Sequence, residues 1–599
     1  MSKAGRAVGL KGLRNRRPCC LAGRVSPMLA AVSLGMLLYA ASVLAQEKTD
    51  AIVITADEIK RMNVQKISDV LNQVPGIKAG DSFVSIRGSY KVKVLLDGRP
   101  INDPTSSHGL VKFDLVPPEN VERIEIYRGK GALKYGDDAS GGVILILTRK
   151  IDIFNGNMKS YWGNLDTYSH RANCRANRGA FGMSASAGYD YTGGYQVNGD
   201  RKKRRAGGKI EYRPDKDLNL ALSIDYLKDE RGLSGRLEYP TLHSRKEGEM
   251  FSYALSMGVK GIVSETFLND AKTRNRDPDR DIDNFITVKR FGEDLSTSLS
   301  PGKWGTLNCG AAFRWQGAEG SRFASSDERS VSIFAADALS FKRVPVTVSI
   351  GLRGTVYSEF DNTLNPETNI SYKKDKWTLS FSYSQTSNTP SFYQRYDKTS
   401  TKEPNPGLGM ETTDSFNLSF FSEISPCLSC GASLFCNRIS DRITYVLGDN
   451  GIGRYENFGK VIYRGGDILL NVKIMDTLSL KTTYTYLEAT DKDTGFWMVA
   501  RPRHRMYADL FYRPMAGLSI IANLKYDSKQ YTRSDNKASV PGRIIENLRV
   551  EHTPAWTTGR FGRVEFFGEV KNIANKTYCY GDGWLAPPRT WIGGLNYRF

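Results

Sequence analysis

Four aspartates alternate along one short stretch, Asp277, Asp279, Asp281 and Asp283. On a strand, residues two apart share a face, and crowded carboxylate oxygens suit calcium. Arg276, Arg280 and Lys289 stand close enough in the chain to neutralise the same charge instead. The basic run Arg201-Lys202-Lys203-Arg204-Arg205 offers the opposite chemistry, attraction of an anionic ligand or contact with surface phosphates. Cys427 and Cys430 have redox or zinc spacing. The residues after them read as a strand leaving a turn, so the two thiols point to opposite faces. The five histidines, His108, His170, His243, His504 and His552, are scattered. No HExxH, Ser/His/Asp order or phosphate loop is present, so catalysis is not expected.

The elements that position these groups are strands. The chain has 599 residues, 40% of them hydrophobic, with 57 glycines and 30 tyrosines. After the N-terminus no apolar run reaches the ~20 residues of a membrane helix. A barrel is not excluded, because lipid-facing and lumen-facing residues alternate and average out. Residues 1–45 read as a signal peptide, with seven basic residues, an apolar stretch over 28–44, and Val43-Leu44-Ala45 before a cleavage at Gln46. Removing those seven bases takes the net charge of +20 to 20 − 7 = +13. In an exported protein this favours lipopolysaccharide phosphates and anionic ligands over nucleic acid.

Residues 46–56 form a β-prone string flanked by charge. The core Asp50-Ala51-Ile52-Val53-Ile54-Thr55 suits strand addition to a partner's sheet edge; it equally suits the first strand of the following domain. Thr55 and Glu58 have capping-box spacing. A helical pattern over 67–74 stops at Pro75-Gly76, and Val84–Ile86, Val92–Leu96 and Val121–Tyr127 read as strands around the turn signal Asp97-Gly98. Beyond residue 150 the pattern becomes alternating strands divided by short turns (214–217, 301–303, 373–376, 425–426, 514–517) and long polar connections (193–205, 239–249, 269–284, 318–329, 385–410, 448–459, 488–504, 527–541). Alternating short and long connections mark an outer-membrane barrel. Trp591, Leu595, Tyr597 and Phe599 share one parity and would face lipid together.

The order of motifs Ile86-Arg87-Gly88, Val94 to Gly98, Val121 to Glu125, Arg128-Gly129, Tyr135-Gly136 and Ala139 to Val143 resembles the plug domain of TonB-dependent outer-membrane receptors. Further segments of that likeness, such as Asp229 to Gly235 and Glu403 to Leu408, run through the barrel. The resemblance implies a 22-stranded antiparallel transmembrane β-barrel with an N-terminal α+β plug in its lumen, divided as 1–45 signal peptide, 46–56 TonB box, 57–150 plug and 151–599 barrel. It implies TonB pairing with Asp50 to Thr55, and Arg87, Glu122, Glu125 and Arg128 in buried ion pairs within the plug or to the wall. Gly129, Gly131, Gly136, Gly141 and Gly142 would serve turns and close packing, and Gly88 and Gly98 belong to the same plug motif. Tyr597 and Phe599 would signal to the barrel assembly machinery. The location it implies is the outer membrane of a Gram-negative bacterium. The cargo it implies is a ferric siderophore or cobalamin, with no resident cofactor unless calcium joins the Asp277 set. The competing readings are a passive porin or adhesin and a soluble β-protein.

Overall fold

The structure, a computed structural model, describes residues 51–62, 64–107, 109–300, 305–341, 344–448, 451–559 and 562–599. Residues 1–45, read above as a signal peptide, and Asp50 and His108 lie outside the described residues.

Residues 52–148 form the inner domain. In chain order it contains β1 (Ile52–Thr55), α1 (Ala56–Met62), α2 (Ile67–Leu71), β2 (Ile77–Ala79), β3 (Val84–Ile86), β4 (Val92–Leu96), β5 (Arg99–Pro100), β6 (Val121–Arg128), α3 (Ala132–Tyr135) and β7 (Gly142–Thr148). Five strands make one sheet in the order β1-β6-β7-β4-β5. The central strand β7 reads GVILILT and its first five residues are buried, the continuous apolar run expected of a strand covered on both faces. Ile67, Leu71, Leu96, Ile124, Ile126, Ile144 and Ile146 are fully buried around it. Asp97 (φ 45°) and Gly98 (φ 87°) both sit at positive φ, the two-residue turn that joins antiparallel β4 and β5. The capping box forms: Thr55 N donates to Glu58 Oε2 at 2.8 Å and Glu58 N to Thr55 Oγ1 at 3.3 Å.

Twenty-two antiparallel strands close around this domain. The first, Asn155–Gly163, pairs with the last, Thr590–Arg598, in a register that sets Leu595 opposite Ser160. Alternation sorts the faces. On Val346–Tyr357, Ile350 and Leu352 point outward at 60% and 45% exposure, whereas Arg353 and Thr355 are buried against the plug. At the last strand Trp591 is outward and Asn596 buried, so Tyr597, two residues along from Leu595, takes the lipid side.

Two expected boundaries move. The division at residue 57 cuts β1 from the sheet it belongs to, because β1 is hydrogen-bonded to β6. The long connections over 269–284 and 318–329 are largely strand: Ile262–Asp277 and Ile282–Leu299 flank a four-residue turn, and Thr306–Gly320 and Phe323–Ser340 flank a two-residue one. Strands of up to 18 residues exceed the ~9–11 needed to cross the bilayer. Their outer ends stand in water on one side and in a polar lumen on the other, so they lose the alternation that marks a strand in sequence.

Candidate functional site

Arg87 ties the plug to the wall. It is 2% exposed and has φ 50°. Its Nε donates to Asp467 Oδ2 at 2.9 Å, Nη1 to Asn417 Oδ1 at 2.8 Å and Nη2 to Ser433 Oγ at 2.8 Å. Its guanidinium lies 4.4 Å from the Phe435 ring centroid. Asp467 is shared: Arg128 Nη1 donates to the same Oδ2 at 3.0 Å and to Pro75 O at 3.2 Å, and Thr485 Oγ1 donates to Oδ1 at 3.0 Å. Burial, then the neighbouring Arg128 charge, pushes the Arg87 guanidinium down to about 10, so it stays charged at neutral pH. These donors and acceptors come from the Arg87 turn, the end of β6, the Pro75 turn before β2, and wall strands Glu411–Ser425, Leu428–Ser440, Val461–Met475 and Leu478–Asp491.

Directly outward of Arg87, Gly88 O accepts from Arg501 Nε at 3.0 Å. Arg501 belongs to the outer connection after Leu478–Asp491 and lies 4.4 Å from the centroid of Tyr90, a plug residue. Phe83 packs edge-on against Tyr90 at 6.1 Å, and Arg503 covers Trp497 at 4.4 Å. Lys402 sits 3.6 Å from the Tyr393 centroid and 4.7 Å from that of Tyr455. Arg501 and Arg503 thus lie on aromatic faces of this outer region, whereas Lys402 is buried and paired with Asp397 at 3.1 Å.

The other expected plug residues, Gly129 excepted, bond within the plug. Glu125 Oε1 accepts from Arg123 Nε at 2.7 Å and Glu122 Oε2 from Lys150 N at 3.0 Å; neither reaches the wall through these bonds. Asp97 accepts from Thr148 N at 2.8 Å and Thr148 Oγ1 at 2.6 Å. Tyr135 packs on Tyr127 at 5.7 Å, and Gly136 caps α3 by donating to Ala132 O at 2.8 Å. Gly129 O accepts from Ser384 Oγ of the wall at 2.7 Å. Gly141 N donates to Lys91 O at 2.8 Å, and a Cβ on Gly142 (φ 129°) would overlap the Tyr127 carbonyl.

Inward of Asp467 the plug stands away from the wall. A cavity of about 930 Å³ is lined by Ala51, Ile52, Val53 and Ile54 together with Arg128 and Asp467. β1 is an edge strand, in register with β6 as Ile52↔Ile126, Val53↔Glu125, Ile54↔Ile124 and Thr55↔Arg123. An edge strand beside open volume carries unpaired backbone groups that another strand can use.

A 22-stranded barrel plugged by its own N-terminal domain is matched by two family models. TonB dependent receptor-like, beta-barrel covers residues 148–573, and TonB-dependent Receptor Plug Domain covers 45–143. The chain belongs to the TonB-dependent receptors. It is 24% identical over 592 residues to the iron-regulated outer membrane virulence protein of Vibrio cholerae, covering 84% of this chain and 89% of that one. It is 24% identical over 596 residues to the vitamin B12 transporter BtuB of Vibrio vulnificus, covering 91% and 92%. The crystal structure of the siderophore receptor PirA from Acinetobacter baumannii superposes with a TM-score of 0.77 at 17% identity, covering 94% and 100%. TonB-dependent receptors of the outer membrane are transport receptors, not enzymes.

Two charged sets lie elsewhere in this receptor than their sequence suggests. Arg201 to Arg205 are not a loop but the start of strand Arg201–Tyr212. Arg201, Lys203 and Arg205 face the lumen. Arg201 pairs with Asp229 at 2.7 Å and plug Asp81 at 2.9 Å, Lys203 with plug Asp114 at 2.8 Å, and Arg205 with Asp190. Lys202 and Arg204 take the other face, with Arg204 3.8 Å from Glu230. Three of the five therefore hold the plug and the wall, because strand parity divides a run that looks uniform in sequence. The aspartate set does not share a strand face. It wraps a hairpin tip, with Asp277 3.6 Å from Arg280, Asp279 2.9 Å from His243, and Asp283 paired with Arg274. Among the described residues no three His, Cys, Asp or Glu side chains converge as a metal-ligand group.

Asp467, Asn417, Ser433 and Tyr90 were not singled out by the sequence, and Arg501 only as part of a family-like block, Arg501 to Arg505. Asp467 sits in GGDILLNV, where parity places it on the lumenal face, but nothing local names a plug arginine some 380 residues away as its partner.

Proposed function

We propose that this receptor imports a ferric siderophore into the periplasm. The observation that carries the reading is one continuous chain of contacts from the outer mouth to the cavity beside β1. Arg501 and Tyr90 meet at the plug surface, Arg501 bonds the Gly88 carbonyl, the adjacent Arg87 is anchored on Asp467, and Asp467 also holds Arg128 at the end of β6, the strand that holds β1. A chelate seated on Arg501 and Tyr90 presses one residue away from Arg87. Displacing Asp467 together with Arg87 disturbs the acid that Arg128 shares, and with it the end of the partner strand of β1. TonB then takes the Asp50–Thr55 segment as an added strand, either along the open side of β1 or after β1 leaves β6, and pulls with energy from the inner-membrane proton gradient. The cargo drives this only through unequal affinity for the two plug states.

Cations on aromatic faces suit an anionic, ring-bearing chelate, and this supports a siderophore over cobalamin, the cargo named for the Vibrio vulnificus relative. On this reading residues 1–45 are removed on export, Tyr597 and Phe599 present the last strand to the barrel assembly machinery, and outward Lys202 and Arg204 meet lipopolysaccharide phosphates.

The test is growth and labelled uptake in a deletion strain, under iron limitation and separately with cobalamin limiting. Loss of ferric siderophore uptake, restored by the wild-type chain, is the expected result. Intact iron uptake with lost cobalamin uptake replaces the cargo assignment.

A further inference from the structure

Arg87, Arg128, Arg201, Lys203 and Arg205 each form an ion pair. Among the described residues, Arg231, Lys246 and Lys112 form none within 4.0 Å. Arg231 and Lys246 face each other across paired strands Leu218–Gly232 and Arg245–Val259, and their parity with buried Leu227 and Met250 puts both on the lumenal side. Lys112 comes from the plug, its Nζ 3.9 Å from where a Cβ on Gly248 would stand. All three line one cavity of about 40 Å³ with Asp81, Asp114 and Asp229. Those acids are engaged already: Asp229 binds Arg201 through both oxygens, Asp114 holds Arg201 and Lys203, and Asp81 holds Lys66 and Arg201. Asp103, at the foot of the same plug loop, accepts from Thr105 N and Oγ1. Glu249 lies outward and accepts from Tyr226 Oη. Arg231 Nε is buried with no hydrogen-bond partner.

Like charges directly opposite on paired strands repel, and a buried N–H of a guanidinium left unpaired is costly. The neighbouring acids offset part of this repulsion but give Arg231 Nε no hydrogen-bond acceptor, and an anion in the cavity would supply one. We propose that Lys112, Arg231 and Lys246 form an oxyanion subsite that takes a carboxylate or phosphate group of the cargo, which rests on the import reading above. The site is lumenal, so membrane lipopolysaccharide does not reach it. At ~10–15 Å³ per water, the cavity has room for about three waters, which fits a carboxylate or phosphate and not a catechol ring. Planar Arg231 and the two ammonium groups approach from wall and plug together, so an anion bound there bridges the two.

Equilibrium dialysis of detergent-purified receptor against labelled citrate and labelled inorganic phosphate tests this. Saturable binding of at least one probe is expected, weakened tenfold or more by Arg231→Gln and by Lys246→Gln and unchanged by Lys216→Gln, which is exposed in the short turn 214–217. Citrate alone marks a carboxylate-bearing cargo, and phosphate alone a phosphate-bearing one. Binding of neither, or equal binding by Arg231→Gln, Lys246→Gln and wild type, overturns the subsite. Heat-modifiable gel migration checks that each variant is folded. A selenate soak of wild-type crystals needs no variant: an anomalous peak between Lys112 and Arg231 is expected, and its absence overturns the proposal. Uptake does not enter this test. Anion binding without iron uptake contradicts the import reading and leaves the subsite standing; iron uptake without anion binding does the reverse.

Discussion

The plug interior and the plug–wall boundary are built of different material. Inside, Ile67, Leu71, Leu96, Ile124, Ile144 and Ile146 pack without water. At the boundary many contacts are polar, Arg87 and Arg128 on Asp467, Lys159 on Glu119 at 2.8 Å, Asn365 on Asp137 at 2.7 Å, beside apolar patches where Leu133 meets Phe334 and Ala336 and where Leu227 and Met250 join the plug core. Apolar area cannot be exposed cheaply, whereas a hydrogen bond that is exchanged for one to water costs only ~0.5–1.5 kcal/mol net. The plug is therefore held together more firmly than it is held in place, which suits a domain that must yield its wall contacts when pulled.

The sharpest way to break this contrast is to strand a charge at the boundary. Asp467→Ala leaves Arg87 and Arg128 without their shared acid, and loss of one partner from a buried pair costs about 3–5 kcal/mol. Calorimetry in detergent should show the plug transition lowered while the barrel transition stays. Next comes the interior: Ile144→Ala is expected to cost roughly 2–5 kcal/mol, with protease cleavage appearing inside the plug sheet and not in the barrel. If Ile144→Ala proves milder than Ser384→Ala, which removes one boundary hydrogen bond and strands no charge, the contrast fails.

How much of this was legible beforehand follows from the period of each pattern. The strand alternation, the Asp97-Gly98 turn and the Thr55/Glu58 cap are local, and each is present where its residues place it. The plug motif containing Arg87 and Arg128 was legible as a motif, but its acceptor Asp467 lies across the barrel, and long-range pairing leaves no local trace. The basic run at Arg201 misled because five like residues hide a parity that only a strand reveals. The aspartate set misled for the converse reason: alternation implied a strand, and Pro278 turns it into a hairpin tip.

Acid provides a smaller and reversible perturbation of the boundary. Burial alone would raise the Glu119 carboxyl, but Lys159 and Arg171 outweigh it and hold the group down to about 2. A depressed folded value means that Glu119 contributes stability above its unfolded value, near 4.5, and loses it as pH falls from there toward 2. Plug release should follow that window in the wild type, and Glu119→Gln should remove this part of the dependence. The smallest expected effect on stability is that of Ile52→Pro. It disturbs a four-residue edge pairing and takes away one backbone donor, so the melting profile should barely change while transport is lost.

The most direct measurement is uptake of iron-55 siderophore by a deletion strain carrying wild type or Ile52→Pro, with and without a proton uncoupler. The account predicts uptake in wild-type cells alone, abolished by the uncoupler and by Ile52→Pro despite normal surface expression. Uptake that survives both treatments would mean passive passage through the barrel and would contradict a TonB-pulled plug.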